Sequence, residues 1–212
     1  MATFAEIKAR IVTELVRDDL EDDLASQLTL HIQRACEYFA DERFWFNAYV
    51  GTVSTVGGQQ TVTVPADCRR VERVSVPASQ VDVREVLLSD IPDWTASSVP
   101  QLYAYDNDTL YFHPTPDAVY SLRLVGTKQI DAPVDDTDEN EWTVEAQDLI
   151  VARAKMTLLR DQFRDPQGVE MAMGATQEAL QRLKRETARR LAVPLRPRYP
   201  RPASNFNINT GC

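Results

Sequence analysis

The apolar residues of this chain change their period twice, and that change limits the fold more than any other feature. Up to about residue 46 they recur every three or four positions. Between residues 49 and 128 they alternate with polar neighbours, and beyond residue 143 the helical spacing returns. A chain patterned this way builds helices from both of its ends and a sheet from its middle, which predicts an α+β fold.

The first helical segment spans residues 4–18. Thr3 and Glu6 form a T-x-x-E capping box, and Phe4, Ile7, Ile11 and Leu15 share a face. A longer helix starts near residue 22, with Asp22 or Asp23 as its cap and the stripe Leu24, Leu28, His31, Ile32, Ala35, Phe39. It runs into Phe44-Trp45-Phe46, a cluster too apolar to leave in water and read as the seam to the next region.

In the middle of the chain, Val62/Val64, Val74/Val76 and Val81/Val83 have the alternation of half-buried strands. Gly57-Gly58 and Asp106-Asn107-Asp108 are turn signals, and around the second Tyr103 and Tyr105 oppose Leu110 and Phe112 as a hairpin. Tyr120, Leu122 and Leu124 form the last clear strand, while residues 89–98, with Pro92 and Trp94, read as a short helix or a loop. The expectation is a compact antiparallel β unit.

An acidic, solvated loop at residues 135–141 leads into a third helix over residues 143–164, with Leu149, Ala152, Met156, Leu159 and Phe163 on its stripe. Asp165-Pro166 breaks it and starts a fourth, since Asp caps and Pro is tolerated at the first helical position. The fourth carries Val169, Met173, Thr176, Leu180, Leu183 and Thr187, and pairs with the third as a helical hairpin. The expected core is thus four-helix bundle-like, two N-terminal helices plus this hairpin. In domains, residues 1–47 and 141–190 are helical, 48–140 form the inserted β domain, and 191–212 form an extended arm. In the arm, Pro194, Pro197, Pro200 and Pro202 forbid a helix and favour a polyproline-like course ordered by a partner.

Charge is split along the chain. Between residues 182 and 201 eight Lys and Arg stand against Glu186 alone, so that stretch carries +7 and the remainder −16, within a net −9. An acidic body repels nucleic acid, while the basic tail offers one localised patch to an acidic partner. Cys36, Cys68 and Cys212 are too few and scattered for a disulfide framework, which points to a reducing cytoplasm. No apolar run approaches the roughly 20 residues a membrane span needs, and no signal peptide is read.

Catalytic chemistry is hard to find. His31 and Cys36 sit five apart on a helix, project about 140° from one another and cannot share a metal. His31 reads as a core or interface histidine, and His113 before Pro114 as a loop histidine. The 135–141 run loosely resembles a calcium loop but lacks the central glycine and the spacing to a final bidentate glutamate. No nucleophile has an evident base, and no cofactor or metal is expected. Two alternatives stay open: a nucleic-acid-binding module acting through the basic tail, and an enzyme built on acidic residues of the β unit.

The order helix, long helix, β insertion, helical hairpin, basic tail resembles the head-to-tail adaptor (connector) proteins of tailed bacteriophages, especially short-tailed ones. Local phrases carry the resemblance: the Phe4-x-x-Ile7 helix, Leu20 and Leu24 between the helices, and Phe44-Trp45. Val64-Pro65-Ala66-Asp67 and Leu110-Tyr111-Phe112-His113-Pro114 add to it. The resemblance implies a non-enzymatic virion protein, made in the host cytoplasm and placed at the head–tail junction. It would form a homo-oligomeric ring, commonly of twelve copies, between the portal protein and a downstream tail or nozzle protein. Genomic DNA would pass through the ring without sequence-specific binding and no membrane would be involved. Carried over by position, residues 189–212 become the portal-docking arm: Arg189, Arg190, Arg196, Arg198 and Arg201 supply charge, and Tyr199, Phe206 and Ile208 supply apolar anchors.

Overall fold

A computed structural model describes residues 2–15, 23–92 and 96–191. Helix α1 is Phe4–Leu15 and buries Phe4, Ile7 and Ile11. Its capping box is formed: the Thr3 N–H donates to Glu6 Oε2 at 3.2 Å, and the Glu6 N–H to Thr3 Oγ1 at 3.3 Å. The next free N–H groups of a helix start also need acceptors. Here those of Phe4 and Ala5 donate to the carbonyls of Asp138 and Asp136, each at 3.0 Å, and Lys8 pairs with Asp136. The acidic loop is therefore docked on the start of α1. Helix α2, Asp23–Phe39, follows and buries Leu28, His31, Ile32, Ala35 and Phe39. Phe44 and Phe46 stack at 5.2 Å, and both meet the edge of Trp142.

Among the described residues seven strands form the middle: β1 Ala48–Ser54, β2 Thr61–Thr63, β3 Cys68–Val76, β4 Val81–Glu85, β5 Leu102–Asp106, β6 Thr109–His113 and β7 Ser121–Lys128. They make one sheet in the order β1-β7-β3-β4-β5-β6-β2, curled into a half-barrel. The β5–β6 hairpin has the expected register, Tyr103 opposite Phe112 and Tyr105 opposite Leu110. Asn107 and Asp108 have φ of 44° and 57°, the left-handed pair a primed two-residue turn requires. The sheet is mixed, however, which corrects the antiparallel expectation. After β4 the chain makes a 3₁₀ turn at Leu88–Asp90, bridges Thr115 through Ser97, and re-enters with β5 parallel to β4. Val62, Val74, Tyr103, Leu110, Phe112, Leu122 and Leu124 fill its concave core.

After the sheet the described residues form α3 Glu141–Val144, α4 Gln147–Leu158 and α5 Pro166–Leu191. The helices do not form a four-helix bundle core. A bundle helix buries one stripe, but α4 buries Leu149, Ile150, Val151, Ala152, Ala154, Met156 and Leu158, which cover its whole circumference. It is a central helix against which α1, α2 and α5 pack. The single helix expected over residues 143–164 is three pieces, because Ala146 leaves helical geometry and Leu159–Phe163 is a π turn closed by Arg164 at φ 50°. The helical apolar cluster, centred on Phe4, Ile32, Phe44, Trp142 and Leu149, is separate from that of the sheet. The α+β class itself stands.

Candidate functional site

The basic segment singled out in the sequence begins on α5, and the packing of that helix decides what it presents. Asp165 caps it, its Oδ1 accepting the N–H groups of Gln167 and Gly168 at 3.1 Å each. The face toward α4 is made of small residues: Gly168, Ala172 and Thr176 are buried, followed by Leu183 and Thr187. The hydroxyls of Thr176 and Thr187 donate to carbonyls one turn back, at 2.8 Å. A narrow seam suffices to hold the helix, so most of its circumference stays exposed.

Along the C-terminal half of α5 the cations are largely met by carboxylates of the same molecule. Arg182 pairs with Asp148 at 2.6 Å, Lys184 with Glu42 at 2.8 Å, and Arg190 with Glu186 at 2.9 Å. Arg189 lies 3.9 Å from Glu186. The guanidinium of Arg190 also sits 4.4 Å from the ring centre of Trp45, a cation–π contact. A cavity of about 500 Å³ opens between Trp45, Glu145, Leu183, Glu186, Arg189 and Arg190. The last turn of α5 is thus clamped to the segment that leads into β1, and the chain departs from there.

Beside it, a groove of about 330 Å³ between α1, α4 and α5 holds a ladder of alternating charge. Lys155 pairs with Glu14, Glu14 with Arg10, Arg10 with Asp148, and Asp148 with Arg182, at 2.6–2.8 Å. Hydrogen bonds from Arg10 and then Arg182 hold the Asp148 carboxyl below its ordinary range, against partial desolvation. With its charges paired internally, the groove fastens α1 and α5 onto α4 and leaves little for an incoming anion.

The portal-arm residues named from sequence divide in two. Arg189 and Arg190 lie in the last turn of α5, as described; Arg196, Arg198, Tyr199, Arg201, Phe206 and Ile208 lie outside the described residues, as do Leu20 and Trp94. Trp45, the platform for Arg190, was not singled out as a partner of the basic segment. The Phe44-Trp45-Phe46 cluster flagged it only as a seam residue.

The titratable candidates are scattered. His31 is buried between α2 and α4, its Nδ1 2.9 Å from Thr157 Oγ1. His113 stands at a strand end, closing β6 before Pro114, but it is buried and not the loop histidine expected, and its bond to Pro114 is cis. Cys36 and Cys68 are buried free thiols, pushed up by desolvation to about 12 and about 11. Among the described residues no group of three His, Cys, Asp or Glu side chains is gathered for a metal. No helix among them is long and apolar enough to cross a membrane.

A comparison with curated proteins finds no match to the chain. Against known families, residues 2–198 match the SU10 adaptor protein, nearly the whole chain, including both helical ends and the sheet between them. The chain belongs to the SU10 adaptor protein family and is a structural head-to-tail adaptor of bacteriophages.

Proposed function

We propose that this adaptor forms a ring, of twelve copies, that docks beneath the portal of a short-tailed phage, links it to the next tail component and lines the DNA conduit. The observation that carries the reading is the family match over residues 2–198. In this assignment the helical residues 1–47 and 141–190 build the ring wall. The β domain, 48–140, faces outward or toward the tail, and residues 189–212 are the portal-docking arm. A body carrying −16 outside the basic stretch suits a conduit, because it does not hold the passing genome. The clamp of Arg190 on Trp45 supports the arm assignment, since it anchors the last turn of α5, from which the arm continues. Cyclic repetition lets many modest arm contacts sum to a stable junction.

The test is assembly on the portal ring of the same phage, comparing the full-length chain with one ending at Val193. The full-length chain is expected to add as a closed ring and the shortened one to fail. Equal binding by both removes the arm assignment and leaves the adaptor role. Binding by neither removes the portal reading, and titration of the arm against DNA over a range of salt then becomes the discriminating measurement.

A further inference from the structure

The curled sheet ends in two edge strands that are protected very differently. Strand β2 is only three residues long, Thr61–Thr63, and short edges recruit poorly. Strand β1 is seven residues, Ala48–Ser54, paired along its whole length to β7 on one side and, among the described residues, to nothing on the other. Its sequence, AYVGTVS, contains no proline, lysine or other charge. Natural edges of this length carry such guards, because a row of open N–H and C=O groups is a template for another strand. Val50 on its outer face is 59% exposed. On the inner face Tyr49 and Val53 stand at the rim of the sheet core.

The chain itself contains a segment patterned for that edge. Asn205-Phe206-Asn207-Ile208-Asn209-Thr210 alternates polar and apolar residues strictly, the period of a strand with one buried face. It follows the proline-rich stretch, and the length of that stretch allows it to reach another subunit. The arm leaves α5 beside Trp45, three residues before β1. Residues 192–203 in a polyproline course cover about 37 Å, whereas a seven-residue strand spans about 23 Å. A spacer of that reach is long enough to pass the subunit's own β1 and arrive at a neighbouring copy.

We propose that residues 205–210 of each copy add as an eighth strand to the free edge of β1 in the neighbouring copy. Phe206 and Ile208 then extend the inner face beyond Tyr49 and Val53, and the three asparagines share the outer face with Val50, Thr52 and Ser54. This is strand addition, in which main-chain hydrogen bonds give affinity and alternate side chains give register. The inference rests on the ring reading for its neighbouring copy and narrows the arm assignment. Arg196, Arg198, Tyr199 and Arg201 meet the portal, while Phe206 and Ile208 clasp the next adaptor.

Disulfide trapping in the full-length chain tests it. Cys212→Ser and Asn207→Cys are combined with Val50→Cys, Thr52→Cys, Ser54→Cys, Val53→Cys or Ser79→Cys, one at a time. Cys36 and Cys68 stay silent because both are buried, with thiols raised out of the reactive range. Each variant is oxidised mildly, both assembled on the portal and as the concentrated free chain, and resolved on a non-reducing gel. At least one outer-face position should give a ladder of joined chains at ten times or more the yield of Val53→Cys on the inner face. The same excess should hold over Ser79→Cys in the exposed 3₁₀ turn Pro77–Ser79. Strand pairing alone produces that odd–even signature. No ladder in either sample, a ladder as strong at Ser79→Cys, or a bond formed within one chain overturns the proposal. Portal binding without a ladder sinks this inference and spares the portal reading; a ladder without portal binding does the reverse.

Discussion

His31 is one of two histidines, and its burial decides its protonation. Its Nδ1 lies 2.9 Å from Thr157 Oγ1, within hydrogen-bond distance, in a buried site between α2 and α4. Burial disfavours the imidazolium and holds the group below its ordinary value. Asp161 pulls the other way, and Arg34 and Arg160 add to the depression. The folded protein therefore keeps His31 neutral over a range in which the unfolded chain, titrating near 6.5, takes up a proton. Stability is full above about pH 6.5 and falls as the pH drops below it, at no more than about 1.4 kcal/mol per pH unit for one group. The carboxylates held low by ion pairs, Glu14, Asp148, Asp161 and Glu141, titrate below this window and do not obscure it. Urea unfolding at intervals from pH 7.5 to 5.0 should show the decline in the wild type and its absence in His31→Gln, which keeps a donor but cannot titrate. A wild-type curve flat across the window, or the same slope in the variant, removes the account.

At the scale of elements, two glycines separate strand from helix requirements. Strand β3 bulges twice where it pairs with β7, between Cys68 and Arg70 and between Val71 and Arg73, bringing its backbone against Gly126. A Cβ at Gly126 would lie 1.9 Å from the Arg70 carbonyl oxygen, and backbone cannot step aside as a side chain can. Gly126→Ala should cost about 1–3 kcal/mol. Gly174 on α5 has nothing within 4 Å, so Gly174→Ala should gain about 0.5–1 kcal/mol from helix propensity alone. Shifts of the denaturation midpoint in opposite directions are expected; a neutral Gly126→Ala would mean the bulged pairing is not as described. What was legible beforehand was local. Thr3 with Glu6, Asp106 to Asp108 and Asp165-Pro166 each announced a cap or turn within a few residues, and each is formed. The parallel β4–β5 pair spans only Arg84–Glu85 and 102–103 and leaves no turn signature, so it could not be read. The central position of α4 was written in its sequence, where apolar residues at 149–152 surround the helix, but a search for one stripe passes over it. At the candidate site the basic run was plain. Its clamp on Trp45 was not, because the two partners are far apart in the chain and no local pattern links them.

For the molecule as a whole, the consequence of two separate apolar clusters is that cooperativity depends on the joint between them. Arg69 on β3 crosses the joint to Glu37 of α2 and to Asp41 in the turn after it, but those acids are 67% and 73% exposed, and such pairs contribute at most about 1 kcal/mol. Asn47 is different. It is fully buried between the helical segment and β1. Its Oδ1 accepts the Phe44 N–H at 2.7 Å, its amide donates to the Glu42 carbonyl at 2.7 Å, and its own carbonyl accepts the Lys128 N–H of β7 at 2.6 Å. One side chain thereby fixes the turn after α2, and the same residue's backbone ties that turn to the sheet. Asn47→Ala strands the Phe44 and Glu42 groups, a loss on the order of 2–4 kcal/mol, whereas Arg69→Met should lose less than about 1 kcal/mol. The loss falls on the joint and leaves both clusters intact, so it should also uncouple them. In a Trp94→Phe background, tryptophan fluorescence reports the helical cluster through Trp45 and Trp142, while far-ultraviolet dichroism also reports the sheet. The two thermal transitions should coincide in the parent and in Arg69→Met and separate in Asn47→Ala. Coincident transitions in Asn47→Ala, with the midpoint lowered, would show that packing across the seam of Phe44, Phe46 and Trp142 couples the clusters without this residue's help.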